Sequence, residues 1–262
     1  MKIIQLFVMF FLIFGFLTLQ AYSFPYQTGF ETPDFSVGDI NGQDGWVVPS
    51  GDVVVQNETI FQGMQATKLT PLGQLERSMD IIGDGVVWVE AYAIVDSQDI
   101  TPDVASMSPA SCVLYYSTTG GITCLDGDGA GGGTWESTGI NVDSVWTKIT
   151  LRQDYKNHTW DLYVNGSKVL SDLGFKNNTI DKLSGFYCQA GDSGSMYLDN
   201  FYVSSMEPGS GRIFSPYDLF ELADEWHNET EFINEIHYDF NEDDIIDTED
   251  LQEFINKWID NQ

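Results

Sequence analysis

Positive charge is scarce in this sequence. The chain has 11 Lys and Arg residues against 40 Asp and Glu residues, which gives a formal net charge of −29. Such a surface repels nucleic acid and anionic membranes, so nucleic-acid binding is excluded from the functions to consider. The same surface suits solubility and cation binding. Charge alone identifies no ion site, because most surface carboxylates are simply solvated.

Cysteine and histidine are also rare, with three of each. No histidine lies beside a cysteine in the sequence, which argues against a cysteine nucleophile or a zinc site. In an oxidising compartment one pair can form a disulfide, and Cys112 and Cys124 flank a turn at residues 118–121. Whether their side chains share a face depends on the loop length. Gly-x-Ser-x-Gly, His-Glu-x-x-His and phosphate-loop motifs are absent from the sequence.

Only one long hydrophobic run occurs, at residues 3–19. Lys2 precedes it, and small residues, Ala21 and Ser23, follow at the −3 and −1 positions of a cleavage site. We therefore interpret residues 1–23 as a signal peptide and expect a secreted or extracellular protein, with the cell surface as one location. The alternative is an uncleaved membrane anchor, for which the run is short. No membrane insertion is expected after cleavage.

Residues 24–205 have the pattern of an all-β domain. Short runs rich in Val, Ile, Tyr, Phe and Trp alternate with clusters of Gly, Asn, Asp and Ser, and no useful helical period appears. The Asn165-Gly166 pair predicts a two-residue hairpin turn, because both positions of that turn need a positive φ. The predicted strands are Val53–Val55, Gln65–Leu69, Val86–Val95, Cys112–Ser117, Gly121–Leu125, Trp146–Asp154, Thr159–Val164, Lys168–Leu170, Leu183–Gln189 and Met196–Val203.

Residues 206–212 break this pattern with Pro, Gly and Ser, and we interpret them as a linker. Residues 213–262 then contain a repeat at an offset of 32, in which Asp218–Trp226 aligns with Asp250–Trp258. Both copies place apolar residues at i, i+3, i+4 and i+7, so two helices can bury their faces against each other. The predicted fold class is therefore mainly β, an antiparallel β-sandwich or jelly roll followed by a small α-helical module.

The loop before the second helix has the spacing of a calcium site. Oxygen side chains fall at loop positions 1, 3, 5, 9 and 12, and Ile245 at position 7 offers its backbone carbonyl. This arrangement suits Ca²⁺ before Mg²⁺, since calcium takes six to eight oxygen ligands. The alternative is an acidic turn that caps a helix without an ion. The predicted calcium ligands are Asp239, Asn241, Asp243, Ile245, Asp247 and Asp250.

The β domain resembles a known family at three places. The opening residues Gly29-Phe30-Glu31 and Asn41–Trp46 look like the start of a concanavalin A-like lectin/glucanase, or laminin-G-like, domain. The stretch from Trp146 to Gly166 is similar to the central hairpin of that family, and Leu198–Val203 resembles its closing strand. The resemblance implies a curved jelly-roll sandwich, often with glycan binding on its concave face.

The duplicated C-terminal segment resembles a dockerin, an EF-hand-type domain. That resemblance implies bound calcium and docking onto a cohesin-like scaffold protein. The first loop departs from the family, because Glu207, Gly209, Gly211 and Ser215 supply too few ligands, so we expect a degenerate dockerin-like module. Asp244 also stands where glycine is usual, at a left-handed position that Asp tolerates.

These observations predict a non-catalytic carbohydrate- or surface-binding protein with a calcium-stabilised attachment module. Trp135, on a Gly-rich loop, is the aromatic residue we expect to be an exposed sugar platform, while Trp46, Trp146 and Trp160 are expected in the core. The Asp-Gly pairs of the segment Asp126–Gly133 are typical of turns, so we interpret this segment as a turn rather than as a metal site. The alternatives are a glycoside hydrolase of the same fold, with carboxylates paired across strands, and a structural envelope protein.

Overall fold

The computed structural model describes residues 26–81, 85–205 and 207–208. Contacts divide the chain into two units at Ser205 and Met206, and the description concerns the first of them. The proposed signal peptide and the six calcium ligands lie outside the described residues. Within the described ranges, no helix has the length and apolar character needed to cross a membrane.

The described residues form β-strands and two short 3-10 helices, at Gln43–Gly45 and Val104–Ser106. The strands are β1 (Tyr26–Thr28), β2 (Gly38–Asp39), β3 (Trp46–Ser50), β4 (Val53–Gln56), β5 (Ala66–Leu69), β6 (Gln74–Ile81), β7 (Val86–Ile94), β8 (Leu114–Ser117), β9 (Gly121–Gly127), β10 (Gly133–Ser137), β11 (Thr147–Asp154), β12 (Thr159–Val164), β13 (Ser167–Gly174), β14 (Leu183–Gln189) and β15 (Met196–Ser204).

These strands form three sheets whose ladders are antiparallel. The large sheet has nine strands in the order β13-β12-β11-β7-β15-β5-β4-β2, with β1 also paired to β15. The first small sheet has the order β14-β6-β3, and the second has the order β10-β9-β8. The strand β15 lies in the middle of the large sheet, between β7 and the β5 hairpin.

One hydrophobic core joins the three sheets. Alternate residues of β7, from Val87 to Ala93, are buried in it, as the two-residue period of a strand requires. Trp46 of the first small sheet and Ile122 of the second belong to the same core, and each is 0% exposed. The described part of the chain therefore folds as an antiparallel β-sandwich, as the strand pattern predicted.

The predicted hairpin turn is confirmed at Asn165-Gly166. Their φ angles are 48° and 78°, and they connect β12 directly to β13. All ten predicted strands are also found, with boundaries that differ by a few residues. The longest strand missed is β6, whose inward positions include Arg77. A charged residue there breaks the apolar alternation from which strands are predicted.

Arg77 is held inside the sandwich by several contacts. It is 2% exposed, its Nη1 lies 3.2 Å from Asp44 Oδ2, and its guanidinium lies 3.9 Å from the ring centre of Tyr26. A nearby carboxylate and a cation–π contact offset part of the free-energy penalty of burying a charge. The sequence gives no local signal for this arrangement, because the three residues lie on separate segments.

The suggested disulfide between Cys112 and Cys124 is absent. The register places Leu114 opposite Cys124, so Cys112 lies beyond the paired part of β8. All three cysteines are free and belong to the core or pack against it. Burial raises the pKa of the Cys112 and Cys188 thiols to about 12, which makes them poor nucleophiles near neutral pH.

The Gly-rich segment Asp126–Gly133 is a turn that docks on neighbouring backbone. The carboxylate of Asp128 accepts hydrogen bonds from the N–H groups of Ala130 and Gly132, at 2.8 and 2.9 Å. These bonds, first that of Ala130, lower the pKa of Asp128. In the same turn, Gly129 N–H donates a hydrogen bond to the Phe175 carbonyl, at 3.0 Å. Its glycines permit this close approach of two backbone segments.

Candidate functional site

The large sheet has a second face, which is turned away from the core and which we call the outer face. In β7 it carries Trp88, Glu90 and Tyr92, at the positions that alternate with the core residues. The register brings side chains from neighbouring strands onto the same face. They are Lys148, Thr150, Arg152 and Asp154 of β11, Asp161 and Tyr163 of β12, Lys168 of β13, Tyr197, Asp199 and Tyr202 of β15, and Lys68 of β5.

One half of this face is built around two aromatic rings, and we call it the Trp88 cluster (Trp88, Arg152, Asp161, Tyr163 and Lys168). The ring centres of Trp88 and Tyr163 are 5.5 Å apart, at an interplanar angle of 50°. Trp88 is 7% exposed, whereas Tyr163 is half-buried. Tyr163 is therefore the ring that a ligand on this half would meet first.

Charged groups surround these rings. Lys168 Nζ donates to Asp161 Oδ2 at 3.0 Å and lies 5.2 Å from the ring centre of Tyr163. Arg152 Nη1 lies 3.7 Å from the same carboxylate oxygen. The hydrogen bond to Asp161 raises the pKa of Lys168. The cluster thus presents aromatic surface beside fixed hydrogen-bond donors.

The carboxylates of the outer face already have partners. Thr150 Oγ1 donates to Glu90 Oε2 at 2.7 Å, and Arg152 lies 3.6 Å from Asp154. Glu90 and Asp161 lie on strands separated by β11, so two strand spacings, about 10 Å, divide them. A retaining glycosidase uses carboxyl groups about 5 Å apart. These carboxylates are thus engaged in hydrogen bonds or ion pairs, and Glu90 and Asp161 are not at the spacing of a retaining pair.

The other half of the outer face is built around Phe61, and we call it the Phe61 cluster (Phe61, Lys68, Tyr92, Trp146, Lys148 and Tyr197). Phe61 stacks on Tyr92 with ring centres 3.7 Å apart and planes 17° apart. Trp146 approaches Phe61 edge-on, at 5.8 Å. Phe61 and Trp146 are both half-buried, so their rings are partly open to solvent. Trp146 therefore belongs to the outer face and not to the predicted core.

Two carboxylates hold the Phe61 segment over the sheet. Asp199 Oδ2 accepts hydrogen bonds from the N–H groups of Phe61 and Gln62, at 3.0 and 3.2 Å. Glu31 Oε1 accepts from Met64 N–H at 2.8 Å and from Gln65 N–H at 2.9 Å. Asp199 is 0% exposed, and its burial raises its pKa to about 7 despite these donors. The position of Phe61 thus depends on a buried carboxyl group.

The predicted platform residue, Trp135, lies elsewhere. It is on β10, a strand and not a loop, where it is paired with Leu125 of β9. Its ring is half-buried and packs edge-on against Tyr115, with centres 4.8 Å apart. Trp46 and Trp160 are both 0% exposed and lie in the core, as predicted.

A cavity of about 390 Å³ lies apart from these clusters, near the ends of several loops. Exposed Leu72 and Ile100 line it together with Asp99, Gln189 and Asp192. Its described lining contains no aromatic ring, so it offers less to an apolar or stacked ligand than the outer face does.

The described part of the chain is thus an antiparallel β-sandwich with an aromatic and charged face on its large sheet. No protein-family model matches the chain, and no curated protein does. The solved structures that match include carbohydrate-binding and sugar-active domains. One is the CBM22-1 xylan-binding domain of Xyn10C from Paenibacillus barcinonensis, with 18% identity, a TM-score of 0.32, and coverage of 68% of this chain and 92% of that chain.

Another match is domain 4 of AbnA, an extracellular arabinanase from Geobacillus stearothermophilus, in complex with arabinotriose. It has 13% identity and a TM-score of 0.41, and covers 70% of this chain and 84% of that chain. A Trypanosoma rangeli sialidase matches with 14% identity and a TM-score of 0.42, over 62% of this chain and 28% of that chain. Because these identities and TM-scores are low, the ligands and reactions of the matched proteins are not assigned to this chain.

Proposed function

We propose that the sandwich binds a carbohydrate on the outer face of its large sheet, without hydrolysing it. The observation that carries this proposal is the Trp88 cluster, in which the half-buried ring of Tyr163 lies between Trp88 and the ion pair of Lys168 with Asp161. Sugar rings present apolar C–H groups on their faces and hydroxyl groups at their edges. An aromatic ring flanked by fixed donors and acceptors matches both features.

Truncating this ring is expected to weaken binding. Tyr163→Ala should lower the affinity for the preferred polysaccharide about tenfold, because it removes a contact worth roughly 1 kcal/mol or more. A glycan array followed by isothermal titration of the best ligand measures the change. Tyr187→Ala is the matched control, since Tyr187 is 53% exposed but lies on the first small sheet.

Two results would overturn the proposal. One is the absence of binding to any polysaccharide on the array, which would favour a structural role. The other is an equal loss of affinity for Tyr163→Ala and Tyr187→Ala, which would place the site elsewhere. Release of reducing sugars from mixed polysaccharides would establish the hydrolase alternative instead.

We propose further that the mature protein is secreted and that its C-terminal segment binds Ca²⁺ as a dockerin-like attachment module. The support is the oxygen ligands of residues 239–250 at calcium spacing and the repeat with an offset of 32. Docking to a cohesin-like scaffold protein rests on the resemblance alone.

The calcium loop is tested by melting experiments on the full chain. Asp239→Ala is expected to abolish the rise in melting temperature that Ca²⁺ produces over chelator, because it removes the carboxylate at loop position 1. Glu242→Ala is the matched control, since it removes one negative charge at a non-ligand position of the same loop. Identical melting of the parent protein with Ca²⁺ and with chelator would contradict the calcium assignment.

A further inference from the structure

The few positive charges of this acidic chain are unevenly distributed. The described ranges contain eight Lys and Arg residues. Four of these eight lie on the outer face of the large sheet, on three of its strands, in a chain whose formal net charge is −29. They are Lys68 of β5, Lys148 and Arg152 of β11, and Lys168 of β13, which is the strand next but one to β11.

Two of these four cations have no carboxylate partner among the described residues. The ion pairs of the described chain involve Arg77, Arg152 and Lys168. Lys68 and Lys148 instead lie over aromatic rings, each with its Nζ 5.8 Å from a ring centre, that of Tyr197 for Lys68 and that of Tyr92 for Lys148. Both lysines are half-buried, so part of each side chain is open to solvent.

We propose that the ligand is an acidic carbohydrate and that Lys68 and Lys148 bind its anionic groups. This inference rests on the carbohydrate-binding function proposed above and identifies the class of ligand. An ammonium group without a carboxylate partner can form a charge-assisted hydrogen bond with a carboxylate or sulfate group of a ligand. A neutral sugar offers no such group. The outer face carries four carboxylates as well as four cations, so the attraction for such a ligand is local to Lys68 and Lys148.

The strand order gives the distance that a ligand must span to contact both lysines. Lys148 on β11 and Lys68 on β5 are separated by β7 and β15, which is three strand spacings, or about 14 Å. The rings of Phe61 and Trp146 belong to the same cluster and give apolar surface for the sugar faces. A chain with anionic groups on more than one sugar can therefore contact both lysines.

The test uses a polyuronate and its carboxyl-reduced derivative, which share a backbone and differ in charge. The parent protein should bind the polyuronate more tightly, and its affinity should fall as salt is added. The double variant Lys68→Gln/Lys148→Gln should lose about tenfold in affinity for the polyuronate and most of the salt dependence. Its affinity for the reduced derivative should fall by much less, because that polymer has no anionic group for the lysines to bind. Lys156→Gln, in the turn after β11, is the control for the loss of one positive charge and is compared with Lys68→Gln and Lys148→Gln as single variants.

The outcomes separate this inference from the function on which it rests. Equal affinity for both polymers would overturn the acidic ligand while leaving carbohydrate binding intact. Binding to neither, and to no polysaccharide on the array, would overturn both. Tight binding of a sulfated polysaccharide alone would support the inference and identify the anion. Equal binding of phosphatidylserine vesicles, or an equal loss with Lys156→Gln, would show unspecific charge attraction and overturn it.

Discussion

Gly127→Ala is expected to lower the free energy of unfolding of the sandwich by about 3 kcal/mol. A Cβ atom at this position would come well under 3.0 Å from the backbone carbonyl of Phe175. Backbone atoms cannot rotate away as a side chain can, so β9 and the segment after β13 would have to separate. The hydrogen bonds that join the Gly-rich turn to that segment would then weaken.

Gly139→Ala is the matched control for this prediction. Gly139 has a φ of 70°, and nothing lies within 4 Å of an added Cβ, so only the left-handed backbone opposes the change. That strain is worth about 1 kcal/mol. Urea unfolding of both variants measures the difference, and equal midpoints would show that the close approach of β9 to Phe175 does not matter for stability.

The contribution of Asp199 to the stability of the sandwich is expected to fall as the pH rises from about 4 to about 7. Asp199 has a pKa raised from 3.8 to about 7 by burial, so the folded state binds a proton there that the unfolded state has lost. Stability decreases with pH wherever the folded state binds more protons. The contribution is fully present below pH 3.8 and is lost through pH 7, by up to about 4 kcal/mol.

Asp199→Asn isolates this contribution. The variant is expected to be less stable, because an amide nitrogen would face the N–H donors of Phe61 and Gln62 or of Asn200. Its unfolding free energy should nevertheless change less between pH 4 and pH 7 than that of the parent. The exposed residue Asp34, changed to Asn, is the control. Parallel pH profiles for the parent and Asp199→Asn would refute the assignment.

Local features of the fold were predictable from the sequence. The Asn165-Gly166 turn is set by the backbone preferences of two adjacent residues, and β12 follows a clear alternation of apolar residues. In contrast, β6 was missed because Arg77 occupies an inward position, which only distant contacts with Asp44 and Tyr26 stabilise. The glycines around Trp135 predict a loop, whereas cross-strand pairing with β9 makes it part of a strand.

The outer face was less predictable than the strands that form it. Lys68, Lys148 and Lys168 are single charged residues in separate strands. Taken alone, each predicts only a solvated side chain. Only the strand order brings them to one face, and that order depends on contacts between distant parts of the chain. The calcium loop is the opposite case, because its ligands lie within twelve consecutive positions. It remains a prediction from the sequence.

The central position of β15 has a consequence for the order in which the protein folds. This strand is the last of the sandwich to leave the ribosome, yet it separates β7 from β5 and also pairs with β1, the first strand. The large sheet therefore cannot close until residue 204 has been synthesised. Until then β7 and β5 have unpaired edges, which are open to pairing with other chains. Folding must follow synthesis of the complete domain, and its many distant contacts make it slow.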